Sequence, residues 1–449
     1  MSAAPARSVA VAGAGWAGCA AAVELARTGC QVTVFESARV AGGRARRVSI
    51  GDHTVDNGQH IMLGAYRETL LLMARVGIDA DQALLKLPLQ MRYPPDSGGM
   101  DFIAPRLPAP LHLLGALLRA KGLEREDKMS LARFSTTARW MGWQLHTDCS
   151  VSELLERFDQ TPRLIQLMWR PLCLAALNTP PERASAQVFL NVLRDSLGAS
   201  RAASDMLIPR ADLSALLPDA AIKYVAAHGG GIRLGAKVTA IAPDRDGWLL
   251  TSEADTPPVT HFDAVILATP ASQTARLLAG LPATAGLRAT LDAFTPEAIT
   301  TCYLQYDPAT RLELPFYALL DDPTQGNWGQ FVFDRGQLDT AQAGLLAVVI
   351  SASGAATELG QDALAQAIAT QLATVLRQPD LASPRWHKVI TEKRATFACA
   401  PAIARPGNKT GLKRLAIAGD YTASDYPATL EAAVRSGIRA AQTLWEDTD

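Results

Sequence analysis

The chain has 449 residues, a formal net charge of −1, and apolar side chains at 48% of its positions. That length supports two or three cores, and the composition excludes a disordered or highly charged, nucleic-acid-seeking protein. No apolar stretch is long enough to span a bilayer. The six cysteines (Cys19, Cys30, Cys149, Cys173, Cys302, Cys399) form no C-x-x-C pair and have no histidine at ligand spacing, so they read as reduced thiols of a cytosolic protein with no metal site.

The N-terminus opens with a short apolar run, Ser8 to Ala12, followed by Gly13-Ala-Gly15-Trp16-Ala17-Gly18, an Ala/Leu-rich helix and a second apolar strand ending at Glu36. The charged Glu24 and the glycine pattern argue against a signal peptide there. Strand, G-x-G-x-x-G, helix, strand and acid make a dinucleotide-binding βαβ unit. Gly13 permits the tight turn, Gly15 lets a pyrophosphate approach, and Gly18 lets helix and sheet pack closely. Trp16 and Ala17 begin the helix whose free N–H groups would face the phosphates. Glu36 suits ribose hydroxyls and would repel a 2′-phosphate, so FAD or NAD is expected rather than NADP. Gly42-Gly43-Arg44 follows, placed to bring backbone and a guanidinium to the diphosphate from the other side. This element resembles the GGR segment of the FAD-dependent amine oxidase/phytoene desaturase superfamily.

Next, Asp56-Asn57-Gly58-Gln59-His60 predicts a tight Asn-Gly turn close to the reactive end of the cofactor, then a helix from Tyr66 to Arg75. Its polar residues either serve the chemistry or cap and satisfy a buried turn. From residue 77 to 213 prolines and then helical periodicity dominate. Leu111 to Leu118 with the basic Arg119, Lys121, Arg125 and Lys128 is either a core helix or a membrane-interface segment. Trp140, Trp143 and Trp169 with Met141 and Met168 either line an apolar pocket or fill core.

Residues 212 to 228 predict one amphipathic helix capped by Asp212. A strand, hairpin and buried strand follow through Pro270, resembling the second cofactor-binding stretch of the same flavoproteins; by that likeness Val238 contacts the adenine through its main chain. Residues 276 to 409 alternate as an antiparallel sheet with one solvated or ligand-lined face, plus a helix from Gln361 to Arg377. The last segment ends a buried strand in Gly419-Asp420. After a short loop, a helix begins near Thr429 and Leu430. Asp420 suits ribityl hydroxyls, and the helix N-terminus suits the flavin pyrimidine edge.

Together these motifs imply an α/β fold: a Rossmann-like FAD-binding domain (1–76, 212–275 and 410–449) interleaved with an α+β substrate domain (77–211 and 276–409) that contains an antiparallel sheet. Within the superfamily, Asp56 to His60, Gly419-Asp-Tyr-Thr422 and Tyr426-Pro-Ala-Thr-Leu-Glu431 look most like the squalene-associated branch, the hydroxysqualene dehydroxylases of bacterial hopanoid synthesis. That resemblance implies reduction of an apolar C30 isoprenoid alcohol by reduced FAD, in the cytoplasm at the membrane surface, with electrons from a flavin reductant that no motif names. Carotenoid desaturases usually carry Met-Glu-Gly where this chain has Leu430-Glu431-Ala432, and the flavin-bridging lysine of an amine oxidase is not identifiable. An oxidative enzyme of the same fold and a non-catalytic flavin or NAD scaffold are the alternatives. Removing an allylic hydroxyl requires an acid, for which His60, Asp56 and Tyr426 are the candidates, and an apolar pocket that excludes water. Gln59 and His60 are also candidate flavin contacts, His60 through its backbone.

Overall fold

The computed structural model describes residues 6–51, 53–253 and 259–446; the outermost residues of the expected cofactor domain, 1–5 and 447–449, lie outside them. Ser8–Ala12 is paired in parallel on one side with Gln31–Glu36 and on the other with Ala264–Leu267. Being covered on both faces, it is an unbroken apolar run without alternation. Gly231–Leu234 and Leu415–Ile417 add the two edges, so five parallel strands come from three separated stretches of sequence. Helices Trp16–Arg27 and Leu430–Thr443 pack against each other beside this sheet.

The antiparallel sheet has the strand order Phe316–Ala318, Phe331–Asp334, Leu345–Ser351, Pro296–Gln305, Trp386–Phe397. Its register runs from Ile299 opposite Ser351 to Gln305 opposite Leu345. The period of two sorts its faces. Cys302, Leu304, Val332 and Val348 pack with Leu364, Ile368 and Leu372 of helix Gln361–Val375. Ile299, Phe331, Phe333 and Val349 line a cavity on the opposite side. One face of the sheet therefore lines the cavity, and the other is covered by the helix. Residues 77 to 211 combine helices with the short strands Leu84–Leu87, Gln90–Arg92, Asp101–Ile103 and Met206–Pro209, and include two π-helical turns, Ile165–Trp169 and Arg194–Gly198.

Two local expectations need correction. The helix over 212–228 is two helices, Leu213–Leu216 and Pro218–Ala227, because Pro218 has no N–H and drives the residue before it out of helical conformation. Asp212 does cap the first, accepting from the N–H groups of Ser214 and Ala215 at 3.0 and 2.9 Å. The tight turn expected at Asn57-Gly58 lies earlier: strands Arg47–Ile50 and His53–Asp56 are already paired, and Gly51, at φ +57°, supplies the left-handed conformation where the chain reverses. Asn57-Gly58 is instead a bend leading out of the hairpin.

Candidate active site

The glycine motif builds one end of a cavity of about 1130 Å³. Gly13 stands at φ +108°, and a Cβ there would run into the Ala268 carbonyl. A Cβ on Gly18 would collide with the carbonyl of Gly13, so its hydrogen is what allows the helix to sit on the turn. Gly18 itself does not line the cavity, whereas Gly13, Gly15, Trp16, Ala17, Glu36, Gly42, Gly43 and Val238 all do. Gly15 and Gly42 form an isolated parallel bridge that clasps the two glycine segments together. Trp16 is buried and donates through Nε1 to the Ala45 carbonyl at 3.1 Å. The Glu36 carboxylate accepts from the N–H groups of Ala14 and Ala38, both at 2.8 Å, so it shapes the loop it was expected to share with a ribose.

The C-terminal motif faces the same space through Gly419, Asp420, Tyr421, Tyr426, Thr429 and Leu430. Arg44 donates to Asp420 Oδ1 and to the Ala395 carbonyl, each at 2.7 Å, tying both glycine motifs to the antiparallel sheet. Thr429 is the N-cap of the last helix, its hydroxyl accepting from Ala432 N–H at 3.1 Å. That helix also sends the fully buried Glu431 to the start of helix Arg67–Arg75, where it accepts from the N–H groups of Glu68 and Thr69 at 3.1 and 2.9 Å. One organising residue carries no sequence signal. Arg405, isolated in a proline-rich loop, donates to the carbonyls of Asp420, Ser424 and Tyr426 at 2.7, 3.0 and 2.5 Å and sets the path of the 420–426 loop.

The 56–60 loop passes along the middle of the cavity but delivers its polar residues unequally. Asn57, Gly58, Gln59 and His60 line it; Asp56 does not. The Asp56 side chain turns the other way and accepts from Leu213 N–H at 2.8 Å. Burial pushes its pKa up to about 7, but away from the cavity it has no substrate to protonate, and its expected catalytic role is withdrawn. The Asp56 carbonyl accepts from Tyr303 Oη at 2.7 Å, Tyr303 accepts from Gln59 Nε2 at 2.9 Å, and Gln59 Oε1 accepts from Arg335 at 3.0 Å. This chain of bonds pins the loop to the antiparallel sheet.

His60 places Nδ1 3.0 Å from the Gly58 carbonyl. Burial holds its pKa below the ordinary imidazole value, so at neutral pH the ring is mostly neutral, donating to that carbonyl and leaving Nε2 to take up a proton.

The same cavity includes an apolar chamber walled by Phe102, Leu117, Phe134, Trp169, Phe331 and Phe333. Of the aromatic and methionine group singled out in the sequence, Trp143, Met168 and Trp169 face it. Trp140 is 88% exposed and Met141 does not reach the cavity, so helical spacing alone does not sort them. Among these apolar walls stands Asp195, on the π-helical turn Arg194–Gly198, bonded by Tyr426 Oη and by Arg194 Nε at 2.6 Å. Tyr426 is thus in the chamber as expected, and its acidic partner has no motif that would have announced it.

The donor set fits FAD. Two glycine turns leave backbone room for a diphosphate, a helix N-terminus faces each end, and carboxylates stand at Glu36 and Asp420 for ribose and ribityl hydroxyls. At about 1130 Å³ the cavity is larger than the roughly 300–1,000 Å³ of an ordinary ligand site.

Residues 16–444 match the family described as flavin containing amine oxidoreductase. A hydroxysqualene dehydroxylase of Rhodopseudomonas palustris is 30% identical, the match covering 98% of each chain. One of Sinorhizobium fredii is 30% identical over 99% of each. Among solved structures, an oxidoreductase from Methanosarcina mazei matches with a TM-score of 0.75 and 16% identity, covering 98% of this chain and 100% of that one.

Proposed function

Since the chain belongs to the flavin containing amine oxidoreductase family and is an FAD-dependent enzyme, we propose that it reduces hydroxysqualene to squalene. The observation that carries this reading is that the nucleotide-binding glycines and a largely apolar wall, with Phe102, Leu117, Phe134, Trp169, Phe331 and Phe333, line one cavity. Such a chamber suits a C30 isoprenoid with one hydroxyl, and the two relatives above are hydroxysqualene dehydroxylases.

On this reading residues 1–76, 212–275 and 410–449 hold the cofactor, and 77–211 with 276–409 hold the substrate. Held by Gly13, Gly15, Glu36, Gly42, Gly43 and Asp420, reduced FAD would supply a hydride to the allylic carbon. His60, once protonated at Nε2, gives its proton to the hydroxyl oxygen, the C–O bond breaks with its electron pair on oxygen, and water departs. The apolar walls keep bulk water from recapturing the cationic carbon.

A lipid face completes the proposal. Helix Leu111–Arg119 buries His112, Ala116 and Leu117 but leaves Leu114 and Leu118 51% and 69% exposed, so its sequence serves core and surface at once. Leu111, Leu113, Leu114 and Leu117 line the chamber, and Arg119, Lys121 and Arg125 follow at the surface. An apolar stripe with basic neighbours at a cavity wall suits docking on an anionic bilayer, from which so apolar a substrate would enter. No helix among the described residues is long and apolar enough to cross a membrane.

The direction of the reaction is tested with two reactants. Dithionite-reduced holoenzyme mixed with hydroxysqualene should release squalene, and oxidised holoenzyme mixed with phytoene should keep its oxidised flavin spectrum. Bleaching by phytoene with no squalene formed would replace the proposal by the oxidative reading.

A further inference from the structure

We propose that Asp195, oriented by Tyr426 and Arg194, is the site that recognises the substrate hydroxyl and lets the enzyme distinguish its alcohol substrate from its hydrocarbon product. This rests on the function proposed above and adds the residue that would set its specificity.

Three observations carry it. The first is contrast: beside the leucine, phenylalanine, tryptophan and methionine side chains, the polar residues that 77–211 contributes to the cavity wall are Gln90, Ser135, Thr136, Arg139, Asn178, Asp195 and Ser196, and of these Asp195 alone is a carboxylate. A ligand with a single polar group loses water on entering such a space and needs one hydrogen-bonding partner there. The second is preorganisation. Arg194 grips the carboxylate through Nε at 2.6 Å and Nη2 at 3.2 Å, and Tyr426 Oη donates to Oδ2. Arg435 lies over the Tyr426 ring at 4.8 Å, while Glu431 accepts from Arg435 Nε at 2.7 Å, fixing the phenol from behind. Burial raises the acid's pKa, but the bonds from Arg194 and Tyr426 outweigh it and hold Asp195 below the ordinary carboxylate range. Tyr426 is pushed up to about 12 by burial and by Asp195. The carboxylate is thus ionised and the phenol neutral at working pH, a stable acceptor with lone pairs to spare.

The third observation is position. Asp195 sits on a π-helical turn, where the extra residue re-aims a side chain that a regular helix would direct elsewhere. Tyr426 lies three residues before Thr429, the N-cap of the helix whose start faces the cofactor cavity. The pair therefore lines the same cavity as His60 and the start of that helix, the space in which a hydroxyl must sit for its carbon to receive hydride. With the substrate O–H donated to Asp195, the oxygen lone pairs stay free for the proton from His60. After C–O cleavage the water made still finds an acceptor, and the product has nothing left to donate.

The test compares binding of hydroxysqualene and squalene to oxidised holoenzyme, read by perturbation of the flavin spectrum in one detergent. The two ligands differ by one hydroxyl, so the ratio of their affinities isolates its recognition. Wild type should favour the alcohol by about 10- to 100-fold, the usual worth of a hydrogen bond to a charged group. Asp195→Ala should reduce the preference to about unity, with squalene affinity and FAD content unchanged. Asp195→Asn, close in shape, should retain a preference of a few-fold, and Tyr426→Phe should fall between wild type and Asp195→Ala. Equal affinity of wild type for both ligands, or an undiminished preference in Asp195→Ala, would overturn the inference while leaving the proposed reaction standing. If neither molecule perturbs the wild-type flavin, both the inference and the proposed function fall.

Discussion

Asp56 offers the sharpest quantitative test of how the loop beside the active site is held. It is almost wholly buried, its one strong side-chain bond is the N–H of Leu213, and burial raises its pKa from the carboxylate value of 3.8 to about 7. The sign follows from linkage. Below about pH 4 the group is protonated in both folded and unfolded chains and costs nothing. Between about pH 4 and pH 7 the unfolded chain releases the proton that the folded one retains, so stability falls as pH rises and levels off above the folded pKa. Three pKa units at roughly 1.4 kcal/mol each bound the loss at about 4 kcal/mol, of which about 2–3 kcal/mol falls between pH 5 and pH 8. Asp56→Asn keeps an oxygen for Leu213 N–H and removes the charge. Urea unfolding of wild type and variant at pH 5 and pH 8, with FAD in fixed excess, should therefore show the variant gaining about 2–3 kcal/mol relative to wild type at the higher pH. A pH-independent difference would refute the buried carboxylate as described. Turnover should survive in the variant, because the side chain does not face the cavity.

The remaining expectations concern cofactor, membrane and proton. Glu36→Ala should weaken FAD binding measured by equilibrium titration, and Asp420→Ala should weaken it more, since it also releases Arg44 from its 2.7 Å ion pair. Replacing the exposed Leu114 and Leu118 by Ser should cut co-sedimentation with anionic liposomes and leave FAD content intact; unfolding would show instead that the pair belongs to the core. His60→Ala should retain FAD yet slow single-turnover flavin reoxidation by hydroxysqualene about a hundredfold or more, with His60→Asn no better. Because burial depresses the His60 pKa, the protonated donor accumulates only on acidification, so the wild-type rate should rise as pH falls from neutrality and the variants should lose that rise.

Much of this was legible in the sequence because its signals are local. The glycine spacing before Trp16, the acid at Glu36 and Gly419-Asp420 each report a backbone geometry or a nearby charge, and a parallel strand covered on both faces reads as an unbroken apolar run. Side-chain direction was harder. Asp56 and His60 sit four residues apart on one loop, yet one meets Leu213 and the other the cavity, a choice made by packing against distant segments. Leu111 to Leu118 reads as either core or surface, and the helix buries His112, Ala116 and Leu117 while exposing Leu111, Leu114 and Leu118. Asp195 and Arg405 had no signature at all: no residue pattern marks a π-helical turn, the Asp195–Tyr426 bond joins residues 231 apart, and Arg405 finds its carbonyls only once the 420–426 loop is folded around it.

The proposed reaction passes electrons from reduced FAD to an allylic alcohol held in the chamber. Purified holoenzyme is photoreduced without oxygen, mixed with hydroxysqualene, and followed by flavin absorbance while the lipid is extracted. The oxidised flavin spectrum should return with one squalene formed per flavin, and no reoxidation should follow when squalene replaces the alcohol. A flavin that stays reduced with the alcohol present, or that reoxidises without squalene appearing, would contradict the proposed reaction.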